Sequence, residues 1–136
     1  MTGDMWGEAS FDNQAGSDWF EEFVADPQPD KINEALIGAE GAEKIGDCQR
    51  ALAAAEVVAS WRGQPPADLP LTLVPFSFGH SPALPAELLA LAMRTVRGLR
   101  EGSIMRDHWR GQKRLPSFEN HLDGLLGRLG ARPSLI

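Results

Sequence analysis

One cysteine, Cys48, is all that the 136 residues contain. A lone thiol closes no internal disulfide and builds no multi-cysteine zinc ribbon, so a cystine-stapled secreted scaffold and that class of metal site are excluded. Long hydrophobic runs are missing too. The most apolar stretches, residues 52–59 and 88–93, fall far short of the ~20 residues that span a bilayer. The N-terminus carries Asp4 and Glu8 where a secretion signal needs a basic start and an apolar run. These absences point to a cytoplasmic protein that makes no membrane contact. His80, His108 and His121 form no i, i+4 pair and have no cysteine ligand nearby, so zinc spacing is absent. No Gly-x-Ser-x-Gly, Gly-x-x-x-x-Gly-Lys or Gly-x-Gly-x-x-Gly occurs, which removes the nucleophile elbow and the glycine-rich phosphate cradles. No catalytic residue, cofactor or metal is therefore assigned.

What is present reads as one globular domain over 1–136. Hydrophobic residues make up 43% and charged residues 24%, a balance that excludes wholesale disorder. The charge is uneven: residues 1–48 hold twelve acids against Lys31 and Lys44, net −10, while the remainder holds eleven basic and seven acidic residues, net +4. Either the acidic first third folds back on the basic last third, or it presents an acidic face to a basic protein.

Apolar spacing is helical wherever it is regular, which predicts an all-α bundle of five or six helices. A first helix from near Asn13 to Ala25 is capped by Asp12 or Asn13 and turns Ala15, Trp19, Phe20, Phe23 and Val24 inward. A second starts with Asp30 as cap and repeats Ile32, Ala35, Leu36 and Ala39, with Gly38 and Gly41 weakening its end. The third, capped by Asp47 and running to about Arg62, is apolar nearly all round and belongs at the centre of the fold. Residues 64–85 carry six of the ten prolines together with Leu69, Leu71, Leu73, Val74, Phe76 and Phe78, so this stretch reads as an ordered wrapping loop. A fourth helix opens at Pro85 and turns Leu88, Leu89, Ala92, Met93, Val96 and Leu99 inward. Ser103 caps a short fifth helix with Met105, His108 and Trp109 on its core side. Ser117 caps a last one carrying Phe118, Leu122, Leu125, Leu126 and Leu129 before Gly130.

The order of these signatures resembles a bacterial family described as domain of unknown function 4259. The resemblance rests on Trp6-Gly7, Phe11-Asp12-Asn13 and Asp18-Trp19-Phe20 at the start. It continues through Leu52-Ala53-Ala54-Ala55-Glu56-Val57-Val58-Ala59 with Arg62-Gly63 and Ala67-Asp68-Leu69-Pro70 in the middle. A weaker match covers residues 103–109 and Leu122-Asp123-Gly124-Leu125-Leu126-Gly127-Arg128-Leu129. The chain departs from the family pattern in the proline-rich residues 71–84. The resemblance implies a helical fold and a bacterial source, and carries over no catalytic residue.

Three constellations compete for function. Asp12 and Asn13 are both cap-competent, so one is left over, and with Trp6 and Phe11 it can wall a small polar pocket at a helix N-terminus. Glu56, the only charge between Ala51 and Ala59, is a candidate acid or base for that pocket. The plainer reading makes it a solvent stripe or the partner of Arg50 or a distant arginine. Seven basic residues between Arg94 and Arg114 surround Trp109 and suit a nucleic-acid backbone. A sequence pI near 5.0 opposes that, which makes nucleic acid the weaker partner. The favoured reading is a non-catalytic protein that binds another protein, a basic one, through Asp18, Trp19, Glu21, Glu22 and Asp26, as an immunity protein does. Self-association stays open. The runner-up is a small-ligand or hydrolase-like site at Trp6, Phe11, Asn13 and Glu56.

Overall fold

Alanine-rich sequence favours a helix, and alanine's short side chain lets other helices approach closely from any direction. Residues 45–61 use both properties in the computed structural model, which describes residues 14–26, 28–61 and 86–130. There helix α3 (Ile45–Trp61) has its side chains at 51–59 sealed from solvent, on every side of the helix. The other five helices pack around it: α1 (Gln14–Ala25), α2 (Pro29–Ile37), α4 (Ala86–Glu101), α5 (Ile104–Gly111) and α6 (Leu115–Gly130). No strand occurs among the described residues. The expected all-α bundle, with the third helix at its centre, is what the chain forms.

Each outer helix buries one stripe. Phe20 and Phe23 come from α1, Ile32 and Leu36 from α2, and Leu88, Leu91, Ala92, Val96 and Leu99 from α4. Met105 and Trp109 of α5, and Phe118, Leu122, Leu125 and Leu129 of α6, complete the same core. On α4 the buried stripe takes in Leu91, while Leu89 and Met93 lie half-buried at its edge. Trp19 and Val24 lie at the rim in the same way, packed against the core from outside.

Helix ends differ from the expected caps in three places. Helix α2 starts at Pro29, whose ring fixes the φ a first helical residue needs, so Asp30 sits inside the first turn and the cap is Gln28. Helix α3 starts two residues before Asp47, and Asp47 pairs instead with Arg50 one turn on. Helix α6 starts at Leu115, ahead of Ser117, because Pro116 is accommodated in a first turn where no backbone donor is required. Ser103 caps α5 as expected: its Oγ accepts from Arg106 N at 3.0 Å and donates to Leu99 O at 2.9 Å, tying the end of α4 to the start of α5. Among the described residues, two turns adopt left-handed backbone, Gly41 at φ +64° and Lys113 at φ +60°. Glycine carries no steric penalty there, whereas lysine does. The Asp12 or Asn13 cap, the Trp61 side chain, Arg62, His80, Pro85 and the proline-rich 64–85 lie outside the described residues.

Enlarging a side chain inside α3 leaves no direction for relief. Ala55→Leu is expected to lower the unfolding free energy by ~1–3 kcal/mol in urea denaturation. Lys113→Gly is expected to raise it by up to about 1 kcal/mol, because the left-handed turn then carries no Cβ.

Candidate partner-binding face

With Gly16, Phe20 and Phe23 turned inward, 3.6-residue periodicity sends Asp18, Glu21 and Glu22 to the outer side of α1, and all three are exposed. Asp26 follows, exposed, just past the helix end. Asp18 accepts from Gln14 Nε2 at 2.6 Å. A hydrogen bond from Gln28 at 3.1 Å, then Lys31 at 3.5 Å, holds the Asp26 carboxyl below the usual carboxylate range. Trp19 stacks on Phe23 with ring centroids 5.3 Å apart, so the indole forms an apolar shoulder beside the acids. Helix α2 adds exposed Asp30 and Glu34, and the following turn adds Glu40 and Glu43. Among the described residues none of Asp18, Glu21, Glu22, Asp30 and Glu34 forms a salt bridge.

Three arginines of the basic half have acidic partners of their own among the described residues. Arg100 grips Asp123 through two bonds of 2.5 and 3.1 Å, which raises the guanidinium pKa further. Arg106 meets Glu119 at 2.8 Å and donates to Arg100 O at 2.9 Å. Arg128 reaches Glu56. All of these acids lie on α3 or α6 and none on α1 or α2, so the described residues do not cancel the acidic first third against the basic last third. Trp109, at the centre of the basic stretch, is buried beneath Arg114, whose guanidinium sits 5.5 Å from the ring. It has no free face for a nucleic-acid base.

Glu56 is 1% exposed, so it is not part of a solvent stripe. Arg128 binds both of its carboxylate oxygens, one of them at 3.0 Å, and His121 Nε2 lies 3.7 Å from Oε2. The distant arginine is thus the partner found, and His121 is half-buried against the same carboxylate. Seventy-two residues separate Glu56 from Arg128, and helical periodicity gives no distance across such a gap. The signal available in the sequence was the i, i+7 relation of His121 and Arg128, which stacks both over one face of α6. Trp6, Phe11 and Asn13 lie outside the described residues.

Glu56 lines none of three clefts formed by the described residues. The first, about 460 Å³, lies between the α2–α3 turn and α4, with Ala39, Ala42, Leu99 and Arg94 on its walls. A second of about 580 Å³ separates the start of α1 from α3 and α5. A third of about 290 Å³ lies between α1 and α2 and is lined by Trp19, Glu22 and Glu34. Among the described residues no group of three or more His, Cys, Asp or Glu is placed to hold a metal, and no helix is long and apolar enough to cross a membrane. Burial pushes the Cys48 thiol up to about 11.

The profile of the family described as Domain of unknown function (DUF4259) matches residues 4–121, and the chain belongs to that family. No curated protein and no solved structure matches it.

Two expectations follow from the buried groups. Arg128→Leu leaves a buried carboxylate without its counter-ion and is expected to cost ~3–5 kcal/mol, whereas Glu56→Leu with Arg128→Leu removes both charges and should recover most of that loss in the same urea titration. The Cys48 thiol is raised from 9.0 to about 11 on folding, so the unfolded chain loses its proton first as pH rises. This contribution is intact below pH 9 and fades between pH 9 and 11. Stability measured across that window is expected to fall less in Cys48→Ala than in the parent chain.

Proposed function

We propose that this member of the family works by binding a basic protein through the outer face of α1, and that it is an interaction protein of the bacterial cytoplasm, immunity-like in its chemistry. One observation carries the reading. The exposed carboxylates Asp18, Glu21 and Glu22 form no salt bridge among the described residues, although Lys31 Nζ bonds the Glu22 carbonyl oxygen at 3.3 Å and the chain contains arginines enough to neutralise them. A helix face of unpaired like charge costs self-repulsion, and it speeds encounter with an oppositely charged partner. The apolar shoulder of Trp19 adds contact area beside the charges, in the aromatic-plus-polar composition that interfaces favour. Glu56, the one buried carboxylate among the described residues, is held by Arg128 as a counter-ion and lines none of the three clefts described, which supports the binding reading over an acid–base site.

The test is affinity purification of the tagged chain from its host at low and at moderate salt, beside the variant Asp18→Lys/Glu21→Lys/Glu22→Lys. The expected result is a stoichiometric basic protein whose recovery falls at least about tenfold with added salt and with the charge reversal. An eluate without such a protein, or one that the reversal leaves unchanged, contradicts the reading.

A further inference from the structure

The cleft of about 460 Å³ between the α2–α3 turn and α4 falls within the size of small-molecule sites, roughly 300–1,000 Å³. Ala39, Ala42 and Leu99 give it apolar walls. Room is left beside them because Gly98 and Gly102, which also line it, carry no side chain. A Cβ built at either meets nothing within 4 Å among the described residues. Charge enters from both sides. Arg94 and Thr95 come from α4, and Glu40 comes from the facing turn. Arg94 and Glu40 are exposed and line the same cleft, yet among the described residues they form no salt bridge, with each other or with any other group. Arg100, Arg106 and Arg128, by contrast, each hold an acid. Thr95 is half-buried next to Arg94 in the chain, whereas the Ser103 hydroxyl is already engaged in capping α5.

We infer that this cleft binds a small zwitterion with an apolar body, its carboxylate at Arg94 and its ammonium at Glu40. That chemistry is shared by a free aliphatic amino acid and a short apolar peptide. The planar guanidinium gives a carboxylate two charge-assisted hydrogen bonds, and the Thr95 hydroxyl is a further donor on the same wall. A simple anion meets repulsion from Glu40, and a simple cation meets repulsion from Arg94. A ligand that carries both charges satisfies both walls. Its aliphatic part covers Ala39, Ala42 and Leu99 and removes apolar surface from water. A phosphorylated ligand is a poorer match, since it brings close to a double negative charge to one arginine with a carboxylate opposite. Asp18, Glu21 and Glu22 of the α1 face do not line this cleft, so the inference is independent of the proposed function.

Amide chemical shifts of the full chain, followed by heteronuclear NMR during titration, test this with two probes, L-leucine and the dipeptide L-alanyl-L-leucine. At least one is expected to bind saturably and to shift amides around Ala39–Ala42 and Arg94–Ser103, and the tighter of the two identifies the source. The same probe with its amine acetylated, or with its carboxylate converted to the amide, is expected to bind at least about tenfold more weakly. Arg94→Gln and Glu40→Gln are each expected to weaken binding by about the same factor. Gly98→Leu places a side chain in the cleft and should abolish binding, with native helix content checked by circular dichroism. No saturable shift with either probe, shifts confined to other parts of the chain, capped probes that bind as tightly as the parent probe, or binding that Arg94→Gln leaves intact overturns the inference. The host experiment is separate: a captured basic protein leaves the proposed function standing whatever the titration shows, and saturable binding in this cleft stands beside an empty eluate.

Discussion

Complete burial of α3 over residues 51–59 is the constraint on which the rest of this structure depends. A helical stretch that shows no face to water must be covered from every direction, and five amphipathic helices with single buried stripes do so. The alanines at 51, 53, 54, 55 and 59 make the arrangement possible, because bulkier residues would hold the neighbours apart. The same requirement explains why each outer helix keeps a fully solvated side. Charge collects there, and its sign on each helix decides what the molecule can meet.

Burial of α3 also fixes the role of Glu56. A carboxylate enclosed by alanine and valine is tolerable only with its charge compensated, and Arg128 compensates it by gripping both oxygens from α6. His121 stands at the same carboxylate. This pair ties the central helix to the last one. It also uses one arginine of the basic half, as Asp123 and Glu119 use two others. Apart from Lys31 with Asp26 just past α1, the ion pairs among the described residues lie within α3, α4, α5 and α6, and Asp18, Glu21, Glu22, Asp30 and Glu34 stay outside them.

Much of this was legible in the residues. Spacings such as Phe118, Leu122, Leu125 and Leu129, and the two-sided apolar pattern of 51–59, locate helices and their buried faces, since periodicity is a local property. Exact helix starts were less legible. Asp30, Asp47 and Ser117 are all good caps, yet Pro29 and Pro116 fit a first turn as well, and sequence alone does not rank the two signals. Least legible was pairing at long range. That Glu56 meets Arg128, and that Arg100 meets Asp123, depends on how α6 lies against α3 and α4. The exposure of Asp18, Glu21 and Glu22 followed from Phe20 and Phe23 being inside, whereas their absence from the described salt bridges could be learned only from the fold.

The α1 carboxylates are open while Glu56 on α3 is sealed, and carboxylate footprinting reads both at once. Dilute native protein would be treated with a water-soluble carbodiimide and a small amine, digested, and mapped by mass spectrometry. The account predicts rapid labelling at Asp18, Glu21 and Glu22 and none at Glu56 until the chain unfolds. Protection of the α1 carboxylates in the isolated monomer would contradict it, since the acidic face would then be neutralised within the chain.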